Sequence, residues 1–128
     1  MSLIQKNTRK QGDVGLGQAI AYFTGMGYSV SIPLTESQRY DLIVDDGDQL
    51  YRIEVKTTRH KKGNAFVVLL STQGGNQSWD RTIRKFSSKD ADYLFITTEE
   101  GTAYLVPSSV VDDKGSLRLG LKCEQYVV

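Results

Sequence analysis

The sequence predicts an α/β fold in one domain of 128 residues. Three observations predict it: a helical pattern over residues 12–26, an alternating β-hairpin over residues 39–56, and an apolar strand over residues 65–70. A chain of this length forms one domain and buries a core without disulfides or a structural metal. We expect the domain to span residues 1–128, with its core at about residues 11–111.

The predicted helix has one apolar face. Spacings of three and four residues place on that face Leu16, Ala19, Ile20 and Phe23. Asp13 is the candidate N-cap or first-turn acid, residues 1–10 are expected to fray, and the glycines at 25 and 27 end the helix. The glycines at 12, 15 and 17 follow no strand. They therefore indicate close helix packing, or backbone N–H groups offered to a phosphate, rather than a nucleotide-binding loop.

The hairpin carries three ionisable side chains at its open end. Its turn is the Asp-Asp-Gly-Asp sequence at 45–48, since these residues tolerate the positive φ of tight turns. Strand alternation places Glu54 and Lys56 on one face and Ile53 and Val55 on the other. Asp41, which begins the first strand, lies opposite the Glu54 end of the second. Two carboxylates and one amine are therefore expected to lie together.

That trio predicts a magnesium site. Mg²⁺ prefers oxygen ligands and usually takes one or two carboxylates, waters and phosphate oxygens. Such an ion polarises a phosphoryl group, and a neighbouring lysine orients water or stabilises developing charge. The alternative is an exposed hairpin with a cross-strand charge pair worth at most ~1 kcal/mol. Two acids without a base histidine argue against acyl transfer, and the lone His60, in a lysine-rich loop, is expected to be a surface residue.

The pair of motifs Tyr40-Asp41 and Glu54-Val55-Lys56 resembles the PD-(D/E)XK nuclease superfamily, with Tyr40 where the family name has proline. The surrounding segments are most similar to small intron-encoded homing endonucleases and less similar to archaeal Holliday-junction resolvases. Those segments are KQGDVG at 10–15, GMGYSV at 25–30, YRIEVKT at 51–57 and YLVP at 104–107.

This resemblance implies a restriction-endonuclease-like core, in which helices flank a mixed β-sheet, and a Mg²⁺-dependent endodeoxyribonuclease of homing type. It implies that Asp41, Glu54 and the Val55 carbonyl bind Mg²⁺, with Mn²⁺ as a substitute, and that Asp41, Glu54 and Lys56 are catalytic. Related nucleases usually carry a glutamate where this chain has Leu16. Asp13, on nearly the same helical face, is the candidate accessory acid.

Three alternatives stay open. A Holliday-junction resolvase-like nuclease would recognise branched DNA by shape. A catalytically impaired DNA-binding module would explain Leu16 in place of the usual acid. A protein without a nucleic-acid partner would show no salt-dependent DNA binding.

Charge is segregated along the chain although the net charge is only +1. Residues 56–89 carry eight basic side chains and one acidic one, and the flanking segments are acidic. Because this block directly follows the carboxylates, we expect it to contact DNA, the alternative being a solvated loop. Within this block, the side-chain amides of Gln73, Asn76 and Gln77 can pair with the edges of bases. Arg81, Arg84 and Lys85 have helical spacing. The expected DNA-binding residues are Arg59, Lys61, Lys62, Gln73, Asn76, Gln77, Arg81 and Arg84.

The remaining segments predict further elements. Residues 65–70 contain no polar residue, which predicts a strand buried on both faces in the centre of a mixed sheet. Residues 92–106 predict a second hairpin and residues 107–111 a short helix with a serine cap. Alternation over 117–123 predicts a strand that completes the sheet or forms a dimer seam. Cutting both strands of a duplex requires two sites, so a homo-oligomer, either a dimer or a tetramer, is expected.

The location of the protein is predicted from what the sequence lacks. A single cysteine, Cys123, excludes an intramolecular disulfide and suits a reducing compartment. No apolar run approaches transmembrane length, and the N-terminus has no signal-peptide pattern. We expect a soluble cytoplasmic protein that has DNA, and no membrane, as its partner.

Overall fold

The structure is a computed structural model that describes residues 7–73 and 83–128. No helix in these ranges is long and apolar enough to cross a membrane. The described elements are one α-helix, α1 (Thr8–Gly25), two 3₁₀ helices (Ser108–Val110 and Leu121–Tyr126) and ten strands. The strands are β1 (Ser29–Ser31), β2 (Leu42–Asp45), β3 (Leu50–Thr58), β4 (Lys61–Lys62), β5 (Ala65–Leu69), β6 (Thr72–Gln73), β7 (Ile83–Arg84), β8 (Tyr93–Thr98), β9 (Ala103–Pro107) and β10 (Ser116–Leu119).

Helix α1 begins four residues earlier than its apolar pattern predicts. Asn7 is the N-cap, and its side-chain oxygen accepts hydrogen bonds from the N–H groups of Arg9 (2.9 Å) and Lys10 (3.5 Å). The predicted start at residue 12 is therefore wrong, and Asp13 lies inside the helix rather than at its cap. The predicted end is confirmed: the helix ends at Gly25, and Gly27 has a φ of +85°.

Five strands form a mixed sheet in the order β1-β2-β3-β8-β9. Strands β3 and β8 are parallel, and the other neighbours are antiparallel. Both predicted hairpins, β2–β3 and β8–β9, are confirmed. In the first turn Gly47 has a φ of +99°, and Asp45 and Asp46 accept backbone hydrogen bonds from the turn. The predicted α/β class with a mixed sheet is confirmed.

The two faces of this sheet bury different clusters. On one face α1 packs its predicted apolar residues, with Ala19 and Phe23 buried, against Leu42, Ile53 and Phe95 of the sheet. On the other face, Leu94 and Ile96 of β8 pack among side chains from a second, smaller sheet. Strand β3 therefore lies in the middle layer, with Ile53 facing the helix.

The second sheet has the strand order β10-β5-β4. Strand β5 is central in this sheet rather than in the mixed one, and Leu69 is 71% exposed, so the prediction of burial on both faces is wrong. An apolar run indicates a buried strand without indicating which sheet it joins. The C-terminal strand predicted over residues 117–123 is confirmed only in its first part, as β10, which pairs with β5 in the second sheet. Its second part is wrong, because Leu121–Tyr126 forms a 3₁₀ helix.

Two local predictions are wrong in detail. The lysine-rich loop predicted around His60 is shortened by strands, because β3 continues to Thr58 and β4 pairs with β5 across a turn at Gly63. The short helix after Pro107 has no side-chain cap. Ser108, expected as its cap, instead donates its hydroxyl hydrogen bond to the carbonyl of Ala91.

Within the block expected to contact DNA, the segment 71–89 lies partly outside the described residues. Its described ends, β6 and β7, pair with each other as antiparallel strands. Arg84 is therefore in a strand, which overturns the helical spacing predicted for that position. Asn76, Gln77 and Arg81 lie outside the described residues.

We expect Gly15→Ala to destabilise the fold. A Cβ built on Gly15 would clash with Thr57 Cγ2 and stand 3.4 Å from Thr97 Oγ1, where α1 crosses the sheet. Forcing a methyl group into such a contact costs about 1–3 kcal/mol. Chemical denaturation would measure the change in the free energy of unfolding.

Gly17→Ala is the matched control, since a Cβ there meets nothing within 4 Å. Removing a glycine from an exposed helix position stabilises by roughly 0.5–1 kcal/mol. Equal effects of the two alanines would show that α1 does not depend on the close approach at position 15.

Candidate active site

Asp41 lies at the point where β2 begins to pair with β3. The N–H of Asp41 donates to the carbonyl of Ile53 at 2.8 Å. Its carboxylate Oδ2 accepts the N–H of Val55 at 2.7 Å. The β2–β3 register ends at the pair Leu42–Ile53, so the Asp41 side chain continues the ladder where backbone pairing stops.

The Val55 carbonyl is directed toward the same edge of β3. In a strand the N–H and C=O of one residue point to the same side, and the Val55 N–H points to Asp41. No β2 residue is registered opposite Val55. This carbonyl therefore joins Asp41 at the open end of the hairpin.

Glu54 and Lys56 form an ion pair on the face of β3 that is turned away from α1. Lys56 Nζ lies 3.1 Å from Glu54 Oε1, and the two side chains are 21% and 17% exposed. The alternation predicted from sequence is confirmed, because Ile53 and Val55 pack in the cluster below α1. Lys56 is thus held beside a carboxylate in a site with little access to water.

Burial dominates the electrostatics of both carboxyls. Asp41 is exposed as a residue, yet the atoms around its carboxyl exclude enough water to raise its pKa, against the Val55 hydrogen bond and the charge of Lys56. Burial also raises the pKa of Glu54, which Lys56 opposes and the charge of Asp41 reinforces. The charge of Asp41 thus acts on Glu54, and a cation bound near both carboxyls would favour their ionised forms.

A pocket of about 290 Å³ adjoins Asp41 on the α1 side. Its walls combine the N-terminal half of α1 with the end of the hairpin. They are lined by Thr8, Arg9, Gly12, Asp13, Leu16, Asp41, Val55 and Thr57. Leu16 therefore supplies an apolar wall at the position of the expected glutamate, and the accessory role of Asp13 stays a prediction.

The donor set fits a divalent cation with few protein ligands. Across residues 7–73 and 83–128, no three His, Cys, Asp or Glu side chains are grouped to hold a metal ion. Asp41, Glu54 and the Val55 carbonyl nevertheless offer three oxygen ligands of the kind Mg²⁺ uses alongside water and phosphate. Because desolvation raises the pKa of both carboxyls, a cation bound to them would favour their ionised forms.

The predicted DNA-binding residues have diverse surroundings. Lys61 forms an ion pair with Glu100 at 2.9 Å and lies 4.9 Å from the Phe66 ring centroid, so the protein itself holds this side chain. Lys62 is exposed and Arg59 is half-buried. Of the others, the structure describes only the backbone of Gln73 and Arg84, in β6 and β7.

Asp92 is a supporting residue that the sequence reasoning missed. Its carboxylate accepts the N–H of Arg52 at 2.8 Å, and its own N–H donates to the Arg52 carbonyl at 2.8 Å. Arg52 in turn donates to the Lys89 carbonyl at 2.7 Å. Asp92 thereby fixes β3 from the β8 side, as Asp41 does from the β2 side. The signal in the sequence was an aspartate directly before an apolar strand, which both positions share.

The fold and these residues define a nuclease-like protein, and two comparisons specify it. Residues 6–125 match the family described as PD-(D/E)XK endonuclease. Among solved structures, the bacterial homing endonuclease I-Ssp6803I is similar, with a TM-score of 0.78 and 26% identity over 89% of this chain and 78% of that one. None of the curated proteins compared with this chain matches it.

This chain therefore belongs to the PD-(D/E)XK endonuclease family. The resemblance inferred from sequence and the restriction-endonuclease-like core are confirmed. As an endonuclease, the protein is a hydrolase.

In the absence of divalent cations, we expect Asp41→Asn to be at least as stable as the wild type near neutral pH. Folding raises the pKa of Asp41 above its usual value of 3.8. The stability that this carboxyl contributes is therefore fully present below pH 3.8, and it is lost as pH rises through the pKa of the folded state. Asparagine can still accept the Val55 N–H. Thermal unfolding in EDTA across a pH series would measure this difference, which should shrink on acidification.

Asp48→Asn serves as the control, because Asp48 is an exposed acid in the hairpin turn. If Asp41→Asn lowered the melting temperature at neutral pH while Asp48→Asn did not, the Asp41 carboxylate would be stabilising, contrary to this expectation.

Proposed function

We propose that this chain is a metal-dependent endonuclease that hydrolyses phosphodiester bonds of duplex DNA, in the manner of a sequence-specific homing enzyme. The observation that carries the proposal is the grouping of Asp41, Glu54 and the Val55 carbonyl with Lys56, 3.1 Å from Glu54. Membership of the PD-(D/E)XK endonuclease family supports the reaction class. Similarity to I-Ssp6803I supports the homing role over the resolvase alternative.

Asp41, Glu54 and the Val55 carbonyl would hold Mg²⁺, with Mn²⁺ as a substitute. The ion would supply Lewis-acid polarisation of the phosphate and a bound water of lowered pKa. The Val55 N–H fixes the orientation of Asp41 through Oδ2, which leaves Oδ1 for a further ligand. Since this bond is to a strand backbone, the carboxylate is positioned before substrate arrives, which avoids reorganisation during the reaction.

Lys56 would act on the phosphate and on the attacking water. Its amine is kept near the metal ligands by Glu54, and its low exposure strengthens its charge interactions. The amine can hydrogen-bond a non-bridging phosphate oxygen or orient the water for in-line attack. The described residues thus supply oxygen ligands for a cation and one positive group for the developing phosphate charge.

The oligomeric state belongs to the same proposal. Each chain offers one such site, and cutting both strands of a duplex needs two. A symmetric homo-oligomer, a dimer or a tetramer, would place two sites on opposite strands.

We expect Mg²⁺-dependent cleavage of plasmid DNA that Lys56→Ala and Asp41→Ala each reduce by at least about a hundredfold, which is the usual loss for a preorganised electrostatic group. Lys122→Ala, which changes an exposed lysine in the 3₁₀ helix Leu121–Tyr126, is the control and should keep most of the activity. Gel analysis of a genomic-library plasmid pool, in parallel with a four-way junction, would measure both substrates.

If the enzyme cut the four-way junction and showed no preferred site in duplex DNA, the resolvase function would replace the homing function in this proposal. DNA that is bound and released by salt but never cut would favour the impaired binding module, and Leu16→Glu would then be the variant to test. Neither cutting nor binding would reject a nucleic-acid function.

We also expect Mg²⁺ to raise the melting temperature of the wild type. A ligand at ten times its Kd stabilises the fold by about 1.4 kcal/mol, which corresponds to several degrees in a domain of this size. Asp41→Asn should lose the shift and Asp48→Asn should keep it, as measured by thermal denaturation with and without Mg²⁺. An undiminished shift in Asp41→Asn would place the ion elsewhere.

A further inference from the structure

The pocket beside Asp41 approaches the proposed metal ligands from the α1 side. Asp41 and Val55 line it, whereas Glu54 and Lys56 are not among its lining residues and lie on the opposite face of β3. At about 290 Å³ it holds roughly ten water volumes of about 30 Å³. A phosphate group with part of its sugar can therefore enter beside the metal ligands without displacing Lys56.

The net charge of the pocket would change from negative to positive when a divalent cation binds Asp41. Among the described lining residues, Arg9 is the one basic side chain, and Asp13 and Asp41 are the two acidic ones. A divalent cation on Asp41 would turn this slightly negative pocket positive. Leu16 adds no charge, whereas a glutamate there would cancel part of that change. The pocket thus becomes suited to an anion when the metal is bound.

The donors for such an anion are side chains rather than the helix N-terminus. The Asn7 cap already accepts the N–H groups of Arg9 and Lys10, so these backbone groups are occupied. Arg9 is an exposed residue whose guanidinium carries the positive charge, and the planar fork of this group matches two oxygens of a phosphate. Thr8, one residue earlier, carries a hydroxyl group and lines the same pocket.

We infer that this pocket binds the DNA phosphate adjacent to the scissile one, with Arg9 as its phosphate-binding residue, and that its affinity depends on the bound metal. The inference rests on the proposed nuclease function and adds a substrate subsite to it. Arg9 then fixes the register of the cleaved strand relative to Asp41, while Lys56 acts on the scissile phosphate from the other face of β3.

The test compares Arg9→Gln with Lys10→Gln, which removes the same charge from the next residue, one that does not line the pocket. Fluorescence anisotropy would measure binding to a short duplex of mixed sequence, with Ca²⁺ to permit metal binding without cleavage and with EDTA to remove it. Each titration is repeated over a series of salt concentrations, and melting temperatures confirm that both variants fold.

In Ca²⁺ we expect Arg9→Gln to weaken binding about tenfold and to lower the slope of log affinity against log salt by about one, as the loss of one phosphate contact does. In EDTA its effect should shrink toward that of Lys10→Gln. Equal losses for the two variants in Ca²⁺, or an Arg9→Gln loss that is the same in EDTA, would overturn the inference.

Plasmid cleavage by the wild type separates the two proposals. If Mg²⁺-dependent cutting is present and Arg9→Gln behaves as Lys10→Gln does, the subsite alone is rejected. If the wild type neither cuts nor binds duplex more tightly in Ca²⁺, the nuclease proposal and the subsite fail together.

Discussion

The hydrogen bond from the Val55 N–H to Asp41 Oδ2, at 2.7 Å, is the interaction on which the candidate site depends. It closes the β2–β3 ladder with a side chain in place of a backbone carbonyl. The use of a side chain as the acceptor has two effects. It aligns the Asp41 carboxylate, and it leaves the Val55 C=O directed toward the same open edge of β3. On the other edge of β3, Asp92 makes the equivalent bond to the Arg52 N–H, and that bond joins β3 to the start of β8. Strand β3 is thereby fixed along both edges around the residues of the candidate site.

The two carboxyl groups of the candidate site reduce the stability of the fold when they are ionised. Burial raises the pKa of both Asp41 and Glu54, so keeping them ionised at neutral pH opposes folding. Lys56 relieves part of this cost for both groups. Such a conflict is common where charges are held in a partly dry site.

The sequence predicted the features that depend on neighbouring residues. Alternation in β3 placed Glu54 and Lys56 on one face, and the glycine-containing turn at 45–48 set the hairpin register. The start of α1 was missed because the apolar face begins at Leu16, whereas the helix is initiated by the cap at Asn7. The sheet that contains β5 could not be predicted, because periodicity carries no information on which strands pair across long separations. Asp92 was missed for the same reason, since its partner is 40 residues away.

The separations along the chain also bear on how the site is assembled during folding. The Asp41–Val55 bond spans 14 residues, whereas the Arg52–Asp92 bond spans 40. Loop-closure entropy grows with length, so the hairpin can form early and the parallel pairing with β8 should follow later. The proposed metal ligands are all contained in the early unit, but the second sheet, which packs on the Glu54 and Lys56 side, is completed only when the distant strand β10 pairs with β5. An incompletely folded chain would therefore hold the ligands in water, without the dry surroundings that make them effective.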